Sequence, residues 1–200
     1  YADDHALATD AGSAYVFVRT GAAWTEQQKL TASDAAASDQ FGYSVAALGG
    51  MAVVGARLDD HAGGTDAGSA YVFVRSGTIW TEQAKLTASD AAVSDLFGVS
   101  VAISGDTALV GANNDDNAFD ADAGSAYIFV RSGVTWTQQA RLVASDAAAT
   151  DNFGISVALS GDTALVGAWQ NDNLGWADAG SAYVFIRSGV VWTQQAKLTA

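Results

Sequence analysis

The residues of this 200-residue chain best suited to chemistry are aspartates gathered in one kind of loop. The loop occurs four times. It reads Tyr-Ala-Asp-Asp-His-Ala-Leu-Ala-Thr-Asp at 1–10 and Arg-Leu-Asp-Asp-His-Ala-Gly-Gly-Thr-Asp at 57–66. The later copies are Asn-Asn-Asp-Asp-Asn-Ala-Phe-Asp-Ala-Asp at 113–122 and Trp-Gln-Asn-Asp-Asn-Leu-Gly-Trp-Ala-Asp at 169–178. Two positions are Asp in every copy: Asp4, Asp60, Asp116 and Asp172, then Asp10, Asp66, Asp122 and Asp178. A third position carries Asp3, Asp59, Asp115 and Asn171, and Asp120 adds one more acid to the third copy. Carboxylates this dense in a short loop suit Ca²⁺, a hard cation that takes about six to eight oxygens. The same side chains also suit turn capping, because a short carboxylate accepts nearby backbone amides. Both readings stand at this stage.

Other polar candidates carry less. His5 and His61 share one loop position, which Asn117 and Asn173 fill elsewhere. Two histidines a whole repeat apart do not share a metal, so this reads as a polar loop position. The pairs Asp34/Asp39, Asp90/Asp95 and Asp146/Asp151 bracket the start of a strand and read as turn caps. Trp169, Trp176 and Phe119 lie in the variable loop, outside the recurring pattern. They read either as contacts for a sugar or protein partner or as shields for a neighbouring loop. An active site usually needs one unique cluster of acid, base or nucleophile. Here nearly every such residue is copied in each repeat, and no Ser-His-Asp order, phosphate loop or metal-His motif occurs. The expectation is a protein that is not an enzyme.

The elements that position these loops follow from an internal repeat of 56 residues without insertion or deletion. Gly12-Ser13-Ala14-Tyr15 recurs at Gly68, Gly124 and Gly180. Trp24 recurs as Trp80, Trp136 and Trp192, and Phe41-Gly42 as Phe97-Gly98 and Phe153-Gly154. In the last copy, β-like runs cover 153–159, 163–168, 182–187 and 192–198, separated by Gly/Asp turns and one polar loop. Each repeat therefore predicts a sheet of four antiparallel strands, the size of one β-propeller blade. The Ala/Val-rich runs read as inner strands buried on both faces, and the Trp-Thr-Gln-Gln run as an outer strand with one wet face. A blade cannot bury both faces alone, so Tyr15, Phe17, Trp24 and their copies read as blade-to-blade core. Residues 1–32 form a partial blade holding the last two strands, followed by blades at 33–88, 89–144 and 145–200. This is an all-β array of about three and a half blades.

Composition narrows the partners. A net charge of −13 argues against nucleic acid, which needs clustered Lys and Arg, and against anionic membrane surfaces. No apolar stretch approaches the roughly 20 residues of a membrane span. Cys is absent, which excludes disulfides and thiolate metal sites. All 22 acidic residues except Glu26 and Glu82 are Asp, so the acidity belongs in loops.

The motif Asp-x-Phe-Gly-x-Ser-Val-Ala, followed by Gly-Asp-Thr-Ala-Leu-Val-Gly-Ala and Gly-Ser-Ala-Tyr-Val-Phe, resembles bacterial FG-GAP repeats. Phe97-Gly98 corresponds to the FG, and Val110-Gly111-Ala112 sits where GAP would be, with Asn113 in place of proline. Arg57 and Trp169 stand there in other copies. The resemblance covers the whole chain. It implies a propeller related to that of integrin α subunits, in secreted or surface-exposed proteins that serve in adhesion or binding. Integrin-type propellers place calcium in an equivalent loop with the pattern Asp-x-Asp-x-Asp-Gly. No copy here matches it, and Asp120-x-Asp122-x-Gly124 comes closest. Gly49-Gly50-Met51 replaces the Gly-Asp-Thr of the other copies, so that Asp reads as a turn residue.

Three and a half blades cannot close the usual ring of about four to eight. An open array exposes strand edges, which pair with further repeats or with a second copy; two copies would hold roughly seven blades' worth of sequence. Tyr1 is preceded by no initiator Met or signal segment, which reads as a mature or excised piece. The expected function is a non-enzymatic extracellular or cell-surface module for adhesion, with a protein or glycan partner and a role for Ca²⁺. The alternatives are a self-assembling structural module and, below it, a secreted carbohydrate-active enzyme domain.

Overall fold

The computed structural model describes residues 9–117, 121–173 and 175–199. Asp3, Asp4, His5, Phe119 and Asp120 lie outside the described residues. All regular elements are strands. The first sheet has two, β1 (Ala14–Thr20) and β2 (Ala23–Leu30). The second is β3 (Phe41–Leu48), β4 (Met51–Ala56), β5 (Ser69–Ser76) and β6 (Ile79–Leu86). The third is β7 (Ser100–Ser104), β8 (Thr107–Ala112), β9 (Ser125–Ser132) and β10 (Thr135–Leu142). The fourth is β11 (Phe153–Ser160), β12 (Thr163–Ala168), β13 (Ser181–Ser188) and β14 (Val191–Leu198). Each four-stranded sheet is an antiparallel meander in chain order, as expected for a blade, and the sheets do not close into a ring.

Blades stack face to face. One core joins Val53, Val72 and Leu86 of the second sheet to Phe97, Val101, Ile103, Val110 and Phe129 of the third. The next joins Leu109, Ile128 and Leu142 to Phe153, Val166, Tyr183, Phe185 and Trp192. The first joins Leu30 and Ala32 to Phe41, Val54, Tyr71, Phe73 and Trp80. The second and third sheets thus present one face to the sheet before and the other to the sheet after. Within the predecessor-facing side, Phe41 meets Tyr71 and Phe73 edge-on at 5.5 and 5.9 Å, and the later copies repeat that cluster. Edge-on packing suits the ring quadrupoles and adds to simple burial.

Position in the stack decides burial. Both faces of β8 are covered and all six of its residues are buried, as an inner strand should be. β12 alternates instead, because nothing described lies beyond it. The aromatic core reading fails for the first copy: Trp24 is 65% exposed, whereas Trp80 is 6% exposed. Tyr15 and Phe17 are also exposed. Trp80, Trp136 and Trp192 each donate their indole N–H to a glutamine on the outer strand of the blade before, namely Gln27, Gln83 and Gln139. No described strand precedes Trp24 to play that part.

Candidate functional site: the aspartate loops

In the three four-stranded sheets the loop leaves the second strand and enters the third. Its third-position acid turns inward. Asp59 Oδ2 accepts from Ser69 Oγ at 2.6 Å, Oδ1 accepts from the Tyr71 hydroxyl at 3.0 Å, and Lys85 Nζ lies 2.7 Å from Oδ2. The same ammonium reaches Asp34 Oδ2 at 2.7 Å, and the single proton of the Tyr71 hydroxyl is shared with Asp34 Oδ1 at 2.8 Å. The next blade repeats the ion pairs through Arg141, which joins Asp90 at 2.7 Å and buried Asp115, but there the Tyr127 hydroxyl makes no hydrogen bond. In the last blade Asn171 replaces the acid. It accepts from Ser181 Oγ and donates to Asp151, leaving Lys197 paired with Asp146 at 2.7 Å.

This network shifts ionisation in both directions. Burial raises the Asp34 carboxyl, but the bonds from Lys85 and Tyr71 outweigh it and hold the group below its ordinary value. Asp146 is held down in the same way by Lys197 and Tyr183. Burial works against the charge on Lys85, yet Asp34 and Asp59 outweigh it and raise its affinity for the proton. Asp39 and Asp95 behave differently. Each is buried, accepts one backbone amide, from Ala36 or Ala92, and faces the like charge of Asp59 or Asp115. Burial first, opposed by the amide and then reinforced by that repulsion, pushes both carboxyls up to about 6.

The two invariant loop acids form a local cap. Asp60 Oδ1 accepts the Asp66 N–H at 2.8 Å, Asp116 that of Asp122 at 2.9 Å, and Asp172 that of Asp178 at 2.9 Å. The capped residue takes a left-handed conformation, with φ of 52, 51 and 53° at Asp66, Asp122 and Asp178, and Asp10 has the same conformation at 56°. That conformation suits Asp among non-glycine residues. It aims three successive carbonyls at the next blade. Thr9, Asp10 and Ala11 accept from Ser38, Gln40 and Phe41. Thr65, Asp66 and Ala67 accept from Ser94, Leu96 and Phe97, and Ala121, Asp122 and Ala123 from Thr150, Asn152 and Phe153. The acidic loop is a backbone clasp between blades.

His61 locks the same loop from inside. Its Nδ1 accepts the Gly63 N–H at 3.0 Å, so its Nε2–H donates to the Gly68 carbonyl at 3.1 Å. Asn117 and Asn173 make the equivalent bond to Gly124 and Gly180, which explains why His and Asn interchange. The turn aspartates do more than turn. Asp106 and Asp162 pair with Arg131 and Arg187, a partnership the sequence reading missed. Where Gly50 lacks the carboxyl, Arg75 keeps only the ring contact with Trp80 that Arg131 and Arg187 also make with Trp136 and Trp192.

Two glycines define the junction. Gly154, after Phe153, has φ 96°, and a Cβ there would lie 2.2 Å from the Ser125 carbonyl oxygen. A Cβ on Gly111 would lie 1.9 Å from the Gly154 carbonyl oxygen, which Ser100 Oγ bonds at 2.7 Å. The Phe-Gly of one blade therefore presses on the Val-Gly-Ala of the blade before, where no side chain fits. A family description, FG-GAP repeat, matches residues 24–73, 80–129 and 136–185. This chain belongs to the FG-GAP repeat family. Comparison with curated proteins gives no match. Each matched stretch runs from the outer strand of one sheet through the third strand of the next, so the family unit spans one junction.

The FG-GAP loops do not fit calcium at the described residues. Lys85 or Arg141 already neutralises the third-position acid, and each capping acid gives an oxygen to a backbone amide. Among the described residues no three His, Asp or Glu side chains converge on a metal-sized site. A cradle of about six to eight oxygens needs them free and convergent. Trp169 and Trp176 are both exposed, in the loop between β12 and β13.

Proposed function

We propose that this FG-GAP chain is a non-enzymatic, extracellular or cell-surface binding module for a protein or glycan partner. One observation carries the reading. The residues able to do chemistry are bonded to the scaffold in the same way blade after blade, while the side chains that break the repeat, Trp169 and Trp176, stand in solvent. A rigid array that presents non-repeating aromatics is built for contact. Family membership supports a binding role and a location outside the cell.

The test is retention on a glycan array and on a panel of immobilised extracellular-matrix proteins, with the Trp169→Ala/Trp176→Ala variant alongside. Selective retention by the parent, lost in a variant of unchanged melting temperature, supports the reading. No retention on either array counts against it. A second reading, a self-assembling structural module, draws on the exposed apolar residues at both ends, Phe17 and Trp24 at one and Leu165 and Leu198 at the other. Elongated particles in electron micrographs would favour it.

A further inference from the structure

The three four-stranded sheets repeat one buried pairing, and the last of them makes it with a different residue. Asp39, Asp95 and Asp151 lie just before the first strand of each sheet, opposite the third loop position, which is Asp59, Asp115 or Asn171. Each of these side chains belongs to a residue only 2–3% exposed. In the last sheet the two are joined, because Asn171 Nδ2 donates to Asp151 Oδ2 at 2.8 Å. In the other two sheets a carboxyl stands where that donor nitrogen would be, and two ionised carboxylates are both acceptors. A protonated carboxyl has the shape of the amide and, like it, donates. Asn171 therefore shows within one chain what the two acid pairs need.

The surroundings favour that proton. Asp39 Oδ2 and Asp95 Oδ2 accept the Ala36 and Ala92 amides at 2.6 Å, which leaves Oδ1 to carry it. The charges facing Asp39 are Asp59 from the loop, Asp34 from its own connector and Lys85 from β6. Those facing Asp95 are Asp115 and Asp116 from the loop and Asp90 from its own connector, with Arg141 of β10 joining Asp90 to Asp115. Burial, opposed by the amide and reinforced by the like charges, keeps both connector acids protonated up to about pH 6. The place of each pair gives the proton something to control. Asp39 sits within the segment held by the sheet before through the amides of Ser38, Gln40 and Phe41, and Asp95 within the one held through Ser94, Leu96 and Phe97. Asp59 and Asp115 belong to the loops whose carbonyls hold the sheet after.

We propose that Asp39/Asp59 and Asp95/Asp115 are buried proton sites, each pair sharing one proton that latches the lead-in segment of its sheet onto the acidic loop. Above neutral pH that proton passes to water and the two carboxylates repel. The segments at 38–41 and 94–97 then loosen in the clasps that hold them. The segment at 150–153 does not respond, because Asn171 supplies a permanent donor. The protons belong to the pairs rather than to single residues, so each pair titrates as a unit. The device is internal to the array and is independent of what the loop tryptophans bind.

The test is amide hydrogen exchange of the 200-residue chain by NMR, corrected for the intrinsic exchange rate at each pH. Protection of the Phe41 and Phe97 amides should fall about tenfold between about pH 5 and about pH 7.5, the loss expected for a proton bound near pH 6 in the closed state and near 3.8 in the open one. Protection of the Phe153 amide should stay within about twofold over the same range. Asp115→Asn should abolish the response at Phe97 and leave that at Phe41, and Asn171→Asp should create one at Phe153. A carboxyl carbon titration of the parent chain reads the protons directly, with one expected per pair at about pH 5. Both members of each pair ionised at that pH overturns the proposal without any variant. An equal fall at all three phenylalanines also overturns it, since that reports global stability, as does a Phe97 response that survives Asp115→Asn.

Discussion

Lys85 Nζ lies 2.7 Å from Oδ2 of Asp59, a carboxylate whose side chain is only 3% exposed. Removing the ammonium strands that charge in the blade interior. Lys85→Met is expected to cost about 2–3 kcal/mol, below the roughly 3–5 kcal/mol of breaking a fully buried pair, because Lys85 itself is partly solvated. Lys197→Met faces Asn171, which carries no charge, and loses only a partly exposed pair with Asp146, worth less than about 1 kcal/mol. Denaturant melts of the two variants measure the contrast. Equal losses would mean that the buried acid is not what Lys85 serves.

Asp39 and Asp95 release their protons near pH 6 when folded, against an ordinary value of 3.8. The unfolded chain therefore ionises first as pH rises. The stability these two groups contribute is complete below 3.8 and is lost as pH climbs to about 6. Asp34 and Asp146 are shifted the other way, so their contribution is present above the ordinary value and is lost as pH falls through their lowered values. Melting temperature should rise as pH falls from about 6.5 to about 4 and drop again below about pH 4. Calorimetry across that range would refute this by a steady decline from neutral pH. Asp115→Asn, which copies the native Asn171, removes the like charge beside Asp95 and should lower the Asp95 midpoint in an NMR titration.

Asp60, Asp116 and Asp172 act through one oxygen that accepts an amide, so an amide side chain should serve as well as a carboxylate. Asn at these positions is expected to change stability by less than about 0.5 kcal/mol, and Ala to cost about 1 kcal/mol each, as for other capping residues. Millimolar Ca²⁺ should leave the melting temperature of the parent unchanged. A calcium-dependent rise that disappears in the Asn variants would show that the carboxylates coordinate the ion.

Gly111 and Gly167 hold the same place in their blades but differ in what lies over them. A Cβ at Gly111 meets the Gly154 backbone at 1.9 Å, so Gly111→Ala should cost about 3 kcal/mol or more by forcing two sheets apart. At Gly167 the nearest atoms all belong to Ser156, closest its hydroxyl oxygen at 2.4 Å, which can turn away, and Gly167→Ala should cost less than about 1 kcal/mol. Thermal melts of the two single variants decide whether blade stacking is as tight as the backbone contact implies.

Strand positions were legible because they are local. The pattern of Tyr-Val-Phe, Ala-Leu-Val-Gly-Ala and Trp-Thr-Gln-Gln runs between Gly-rich turns located strands within one or two residues of β11 to β14. The repeat also marked Tyr71, Phe73 and Trp80 as core, and they are buried together. The loop acids were found, but their employment was not. Asp59 meets Lys85 across 26 positions of sequence, and the clasp joins Asp66 to Leu96 in the next blade.

Sequence alone determined the 56-residue period, the four-strand blade, the absence of thiol chemistry and the aspartate-rich loops. Only the tertiary structure decided which aspartates pair with cations, which cap a turn, and that Trp24 and Leu198 are uncovered while Trp80 and Leu142 are not. The physical reason is that identical residues in identical repeats carry the same local instructions. Their burial and charge environment come from whichever blade lies against them, and that neighbour is set by the stack.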